Sequence, residues 1–205
     1  ERALWWPKRR TLFVADVHLG RIASFRARGA PVPGDTLGET LDRLGRVVER
    51  SSAERLVVLG DLVQEREGLT DGLARRVAEA MSSWNVRMGL VPGNHDRKVG
   101  RLPAEWPLET IEPGARMGPF RLYHRPSEER GDEANRDGFE LAGHFHPTVR
   151  LESGGDKLRL PCFAFDEHSG VLPAFHTMTN GVEMRAAERR LFLVADGEVI
   201  ALTRE

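Results

Sequence analysis

Three short apolar runs, each closed by a cluster of polar side chains, constrain this chain most. Thr11–Ala15 (TLFVA) leads into Asp16-Val17-His18, Leu56–Leu59 (LVVL) into Gly60-Asp61, and Val86–Val91 into Pro92-Gly93-Asn94-His95-Asp96. Runs this short and this rich in β-branched residues predict buried strands. Two helical patterns lie between them. Leu37, Leu41, Leu44, Val47 and Val48 recur with a period near 3.6, and Leu73, Val77, Met81 and Trp84 do the same behind Thr70, the expected N-cap. Strands alternating with helices predict β-α-β units and a parallel sheet, hence an α/β fold. Open sheets of this kind bind ligands outside the carboxyl ends of their strands, so the three polar clusters should converge.

The second half reads differently. Phe120–Tyr123, Phe139–Ala142, Val149–Glu152, Leu158–Phe163 and Val171–Phe175 are predicted short strands, and Arg190–Ala195 and Glu198–Leu202 flank a hairpin turn at Asp196-Gly197. The charged stretch Arg125–Gly138 is expected to be a mobile surface loop. No repeat or linker divides the 205 residues, so one domain over 1–205 is expected, built as two packed sheets with helices outside. Thirty basic residues against thirty-one acidic ones leave a net charge of -1, so any basic footprint for nucleic acid has to be local. The single cysteine, Cys162, permits no internal disulfide and suits a reducing, cytoplasmic setting. No apolar run approaches the length of a bilayer span, so no membrane partner is expected. The sequence opens on Glu1 rather than Met, which implies trimming or processing ahead of it.

The polar clusters carry metal-binding chemistry. His124 closes FRLYH, and Gly143-His144-Phe145-His146 follows, so five of the seven histidines lie in these motifs. Carboxylate, imidazole and amide oxygen together suit borderline-to-hard divalent ions such as Mn²⁺, Fe²⁺ or Zn²⁺. On extended backbone, the pairs in Asp16-Val17-His18 and His144-Phe145-His146 would point to one side and both face a metal. A glycine before Asp61, Asn94 and His144 allows a tight turn and close backbone approach.

The ordered blocks DVH, GD, GNHD, H and GHFH resemble the calcineurin-like metallophosphoesterase superfamily. The resemblance implies a four-layer α/β/β/α sandwich holding two divalent metals. It assigns Asp16, His18, Asp61 and His146 to one metal, and Asp61, Asn94, His124 and His144 to the other, with Asp61 bridging. It places His95 beside the scissile phosphate, oriented by Asp96, and implies attack by a hydroxide held between the metals. A narrower set of segments, among them LWWP, SFRARGAPVPGDT, GNHDR, GHFHP and LRLPCF, resembles the bacterial ligase-associated metallophosphoesterase. Members of that family are encoded with an ATP-dependent DNA ligase and a helicase, and are described as DNA-repair endonucleases. This implies a manganese-dependent phosphodiesterase acting on DNA, with single-stranded or unpaired regions preferred. Two departures stand out: Gln64 replaces the usual His or Asp after the GD motif, and His176–Gly181 replaces a glycine-richer turn.

Other residues carry plainer readings. Arg21, Arg26 and Arg28 follow the first motif and could grip phosphates, or form a solvated helix face. Asp96 could cap a turn instead of orienting His95. The four tryptophans and Cys162 are expected in the core, and His168 and His176 on the surface or in loops, with His176 near the cleft as the lesser alternative. Two other functions stay open: a small-molecule phosphoesterase acting on nucleotides or lipid pyrophosphates, and a non-catalytic scaffold on the same fold.

Overall fold

The computed structural model describes residues 1–34, 36–126, 138–153, 156–178 and 180–202. The first sheet has the order β1-β2-β3-β4-β5, formed by Leu4–Trp6, Thr11–Val14, Arg55–Val58, Arg87–Leu90 and Leu108–Thr110. β1 runs antiparallel to β2; β2, β3, β4 and β5 are parallel. The register aligns the strand ends: Val14 pairs with Val58, and Val58 with Leu90. The residues that follow, Asp16, Asp61 and Asn94, therefore emerge at one edge of the sheet.

The central strands β2, β3 and β4 are buried on both faces over most of their length, which explains their near-continuous apolar character. Side chains still alternate. Leu12, Val14, Leu56, Val58, Met88 and Leu90 face α2 (Thr36–Ser51) and α3 (Asp71–Ser83). Phe13, Ala15, Val57, Leu59 and Val91 face the second sheet. Helix α2 supplies Leu37, Leu41, Leu44 and Val48 to the first layer and α3 supplies Leu73, Val77 and Met81, the stripes expected from sequence. Thr70 caps α3, its side chain accepting from the Leu73 N–H at 3.2 Å. Each fully buried aliphatic side chain contributes about 1.5–3 kcal/mol. A single-residue slip of β2 would turn Phe13 toward the helices and Leu12 toward the other sheet, so burial on both faces fixes its register.

The second sheet has the order β13-β12-β10-β11-β8-β7-β6, with β9 pairing β10. The elements are β6 (Ala115–Met117), β7 (Phe120–Leu122), β8 (Phe139–Ala142), β9 (Thr148–Ser153), β10 (Asp156–Phe165), β11 (Ser169–Val171), β12 (Arg190–Ala195) and β13 (Glu198–Leu202). Its inner face packs Leu122, Leu141, Phe163, Leu172 and Val194 against the first sheet. The outer face carries Cys162, Ala164, Leu191 and Leu193, partly covered by Met184 and Ala186. The α/β architecture with two packed sheets is as expected. Among the described residues the α-helices all precede Gly100, and the outer cover of the second sheet is irregular chain.

One sequence expectation shifts. Val171–Phe175 is not one strand: β11 ends at Val171, Pro173 offers no N–H, and Ala174 forms a lone parallel bridge to Ala15. The Asp196-Gly197 hairpin is present, with φ of 48° and 84° at the two turn residues. Of the expected loop Arg125–Gly138, residues 127–137 lie outside the described residues. Tryptophans behave as core: Trp106 is buried with its indole N–H on the Ala74 carbonyl, and Trp6 meets Phe120 edge-on at 5.0 Å.

Candidate metal centre

All seven predicted ligands meet where the two sheets abut. Asp16, His18 and His146 present ligand atoms within 4.8 Å of one another; Asp61, His124 and His144 do the same, and His18, Asp61 and His95 form a third such group between them. Asn94 joins through its side-chain oxygen, 3.0 Å from His124 Nε2. Close chain packing makes this possible. A Cβ on Gly93 would lie 2.1 Å from Asp61 Oδ1, and one on Gly60, where φ is +82°, would lie 2.1 Å from His124 Nδ1.

The backbone here is not the extended one expected from the D-x-H and H-x-H spacing. Asp16, His18, Asp61, His144 and His146 all have positive φ, between 48° and 69°. The strands have ended, and the chain turns so that Asp16 N–H donates to Gly60 O, His18 N–H to Asp61 O, and His144 N–H to Asp16 Oδ2 at 2.9 Å. Non-glycine residues in this region cost on the order of 1–3 kcal/mol each and cluster at functional sites.

Main-chain carbonyls orient three imidazoles. A carbonyl only accepts, so Nδ1–H of His124 donates to Leu59 O at 3.0 Å, that of His146 to Asn180 O at 3.0 Å, and that of His95 to Gln64 O at 2.6 Å. Whichever of these rings carries no second proton then turns its Nε2 lone pair inward. His18 Nε2 and His146 Nε2 face each other at 3.3 Å, and His144 Nδ1 faces His124 Nε2 at 3.1 Å. Lone pairs in that arrangement repel unless a cation or a proton lies among them.

The carboxylates point the same way. Asp16 is fully buried; its Oδ1 lies 3.4 Å from His146 Nε2 but accepts no hydrogen bond. Burial alone would raise its pKa, yet His146, His124 and His18 hold it below the usual carboxylate value. Asp61 is pushed up to about 8, first by burial and then by the charge of Asp16. Burial depresses His18 and His124; at His146 burial also lowers the pKa, but Asp16, the Asn180 carbonyl and Asp61 together raise it. An orphaned buried carboxylate oxygen and a second carboxylate that resists ionising fit a divalent cation, which would stabilise both charges at once.

Several surrounding residues depart from expectation. Asp96 does not orient the His95 ring: its carboxylate accepts from Gly93 N–H at 2.9 Å and Val63 N–H at 3.1 Å, pinning the start of α4 (Asn94–Val99). Orientation falls to the Gln64 carbonyl, and main-chain carbonyls leave no mark in a sequence. The Gln64 side chain accepts from Arg21 NH1 at 2.9 Å. Arg26 donates to the carbonyls of Val32 and Gly34, and Arg28 pairs with Glu65, so most of their bonding is internal. His168 is exposed as expected, but His176 is only 2 % exposed, its pKa lowered to about 4 by burial and by Arg21, Arg2 and Arg43. Arg2 donates to the carbonyls of Ala174 and His176, and Arg43 to that of Phe175, clamping this segment against Ala15 and Asp16.

With this geometry in place, the family model for calcineurin-like phosphoesterases matches residues 9–176. The chain belongs to that family. A calcineurin-like phosphoesterase with these clusters is a metal-dependent hydrolase of phosphoesters. The phosphoesterase is similar to the Pseudomonas putida nuclease MPE, at 35% identity and a TM-score of 0.82, over 98% of this chain and 92% of that one. It also matches a Vps29 from Entamoeba histolytica (14% identity, TM-score 0.36, 94% and 99% covered) and a predicted phosphoesterase from Streptococcus pneumoniae (11%, 0.37, 95% and 97%). Those two likenesses are too remote to carry an argument. No curated protein matches the phosphoesterase. Among the described residues no helix is long and apolar enough to cross a membrane.

Proposed function

We propose that the phosphoesterase is a DNA endonuclease that cuts unpaired strands using two divalent cations, Mn²⁺ foremost. The observation that carries this is the pair of ligand clusters meeting at Asp61 in a chain 35% identical to a nuclease over nearly its whole length. Asp16, His18, Asp61 and His146 would hold one cation, and Asp61, Asn94, His124 and His144 the other. When bound, the cations supply an acidified water and polarise the phosphoryl oxygen. The protein's own residues do the rest. His95, held through Nδ1 by the Gln64 carbonyl, turns Nε2 toward the space beside Asp61, 4.0 Å from Oδ2. With a proton on that nitrogen it can hydrogen-bond the phosphoryl oxygen or protonate the departing ester oxygen as the new P–O bond forms. The likeness to ligase-associated enzymes supports a repair setting beside an ATP-dependent DNA ligase and a helicase.

The test compares bis-p-nitrophenyl phosphate, p-nitrophenyl phosphate, circular single-stranded DNA and duplex DNA across a panel of divalent metals. The diester should turn over faster than the monoester, and the circular single strand should be opened faster than duplex. No cleavage of any DNA, beside rapid turnover of a nucleotide or lipid pyrophosphate, would move the assignment to a small-molecule substrate.

A further inference from the structure

A second concentration of charge lies next to the metal centre. A cleft of about 420 Å³ opens beside the first turns of α1 (Arg21–Ala27), α2 and α3. Arg21 and Arg26 line it from α1, Arg75 and Arg76 from α3, and Thr36 and Thr70 add hydroxyls; no carboxylate lines it among the described residues. Guanidinium groups gathered from two helices around one concavity create a positive potential that favours an anion.

The cleft is joined to the hydrolytic site through Arg21. Its guanidinium bonds the Gln64 side chain, whose main-chain oxygen holds His95, and its charge is felt at His18. Arg26 lends charge more than donors, since its Nε and one NH₂ serve Val32 and Gly34. Arg75 is exposed and has no ion-pair partner among the described residues. The Thr70 side-chain oxygen already accepts from Leu73 N–H, so its hydroxyl proton remains available to a ligand. Forked guanidinium donors and hydroxyls match a tetrahedral oxyanion better than a metal or an apolar group.

We propose that this cleft is a phosphate subsite, holding a backbone phosphate of the strand being cut while another phosphate lies at the metals. The inference rests on the nuclease reading above. It also supplies a reason for a single-strand preference: an unpaired strand can bend from one cleft into the other, whereas bending duplex DNA over so short a distance is costly.

The test uses Arg75→Ala/Arg76→Ala and the charge-keeping Arg75→Lys/Arg76→Lys, with manganese-loaded protein and oligothymidylates of increasing length. In the wild type KM should fall as the oligonucleotide grows past the dinucleotide. The alanine pair should lose roughly 10–100-fold of that gain, the worth of one or two charge-assisted hydrogen bonds. Its plot of log KM against log salt should be shallower by about 0.7 for each phosphate the cleft no longer holds, while the lysine pair keeps the slope. kcat and bis-p-nitrophenyl phosphate turnover should not move. Unchanged length dependence and salt slope, or equal loss on both substrates, overturns the proposal. Inorganic phosphate competing in the wild type but not in the alanine pair, with no effect of length, would assign the cleft to a free anion and overturn it too. A wild type that turns over the small diester but cuts no DNA sinks the nuclease reading alone. The oligonucleotides then serve as competitive inhibitors: inhibition weakened in the alanine pair sustains the subsite, and equal inhibition removes it.

Discussion

Gly93→Ala isolates the cost of crowding one ligand. Gly93 has φ −85° and ψ −176°, a conformation alanine adopts freely, so the backbone itself offers no resistance. On chain entropy alone the change would stabilise the fold by about 0.4–1 kcal/mol. The added methyl, however, would sit 2.1 Å from Asp61 Oδ1 and 2.4 Å from Asp61 N, whereas ordinary contact begins near 3.4 Å. Something must retreat by roughly 1 Å, at a typical overpacking cost of about 1–3 kcal/mol. The Asp61 main chain is held by His18 N–H at 2.9 Å, so the carboxylate and the Gly93–His95 turn have to part, breaking the 2.8 Å bond from His95 N–H to Asp61 Oδ1. Metal–ligand distances tolerate only about 0.2 Å, and a 1 Å misplacement costs roughly 100-fold in rate. The expected outcome is a loss of about 100-fold in kcat/KM on bis-p-nitrophenyl phosphate, near 2.7 kcal/mol, with weakened manganese binding and a folded protein by circular dichroism. A Gly93→Ala enzyme within about threefold of wild type in both rate and metal affinity would show that the Asp61 position does not govern the site.

Two further outcomes follow from the same geometry. His95→Ala should lower kcat by roughly 10²–10⁴ while elemental analysis shows the metal content intact; an enzyme retaining its rate would remove His95 from the reaction. Because Asp61 titrates near 8 in the metal-free protein, it is mostly neutral below that pH and a cation must displace its proton. Manganese affinity should therefore rise about tenfold per pH unit up to about pH 8 and then level off. Calorimetry in buffers of different ionisation enthalpy should show a proton released below that point, and a pH-independent affinity would contradict the raised value.

The clustering of the candidate ligands was legible because strand ends are readable: an apolar run followed by polar residues marks where a buried strand surfaces, and parallel register brings Asp16, Asp61 and Asn94 to one edge. The stripes of α2 and α3 were readable for the same reason, since periodicity reports the buried face. What escaped is set by contacts that carry no local pattern. The carbonyls of Leu59, Gln64 and Asn180 orient three imidazoles, yet any residue offers a carbonyl. The left-handed turns at Asp16 and His144 belong to inter-sheet hydrogen bonds rather than to residue preference. Strands of three residues, such as β1, β5 and β6, are too short to show alternation. Arg75 and Arg76 lie off the apolar stripe of α3, and only the cleft that α3 shares with α1 brings them to the same concavity as Arg21.

The five candidate ligands with positive φ would give a bound cation a second consequence, one of lifetime. A fold is usually only about 5–15 kcal/mol more stable than its unfolded chain, and strained residues of order 1–3 kcal/mol each take a visible part of that margin. A ligand that binds only the folded chain restores about 2.7 kcal/mol at a hundredfold excess over its Kd. Protease resistance of the purified protein should then track free manganese, and in the cell a metal shortage would thin out this phosphoesterase by turnover. Supply of the ion would in that way govern how many copies persist as well as how fast each one works.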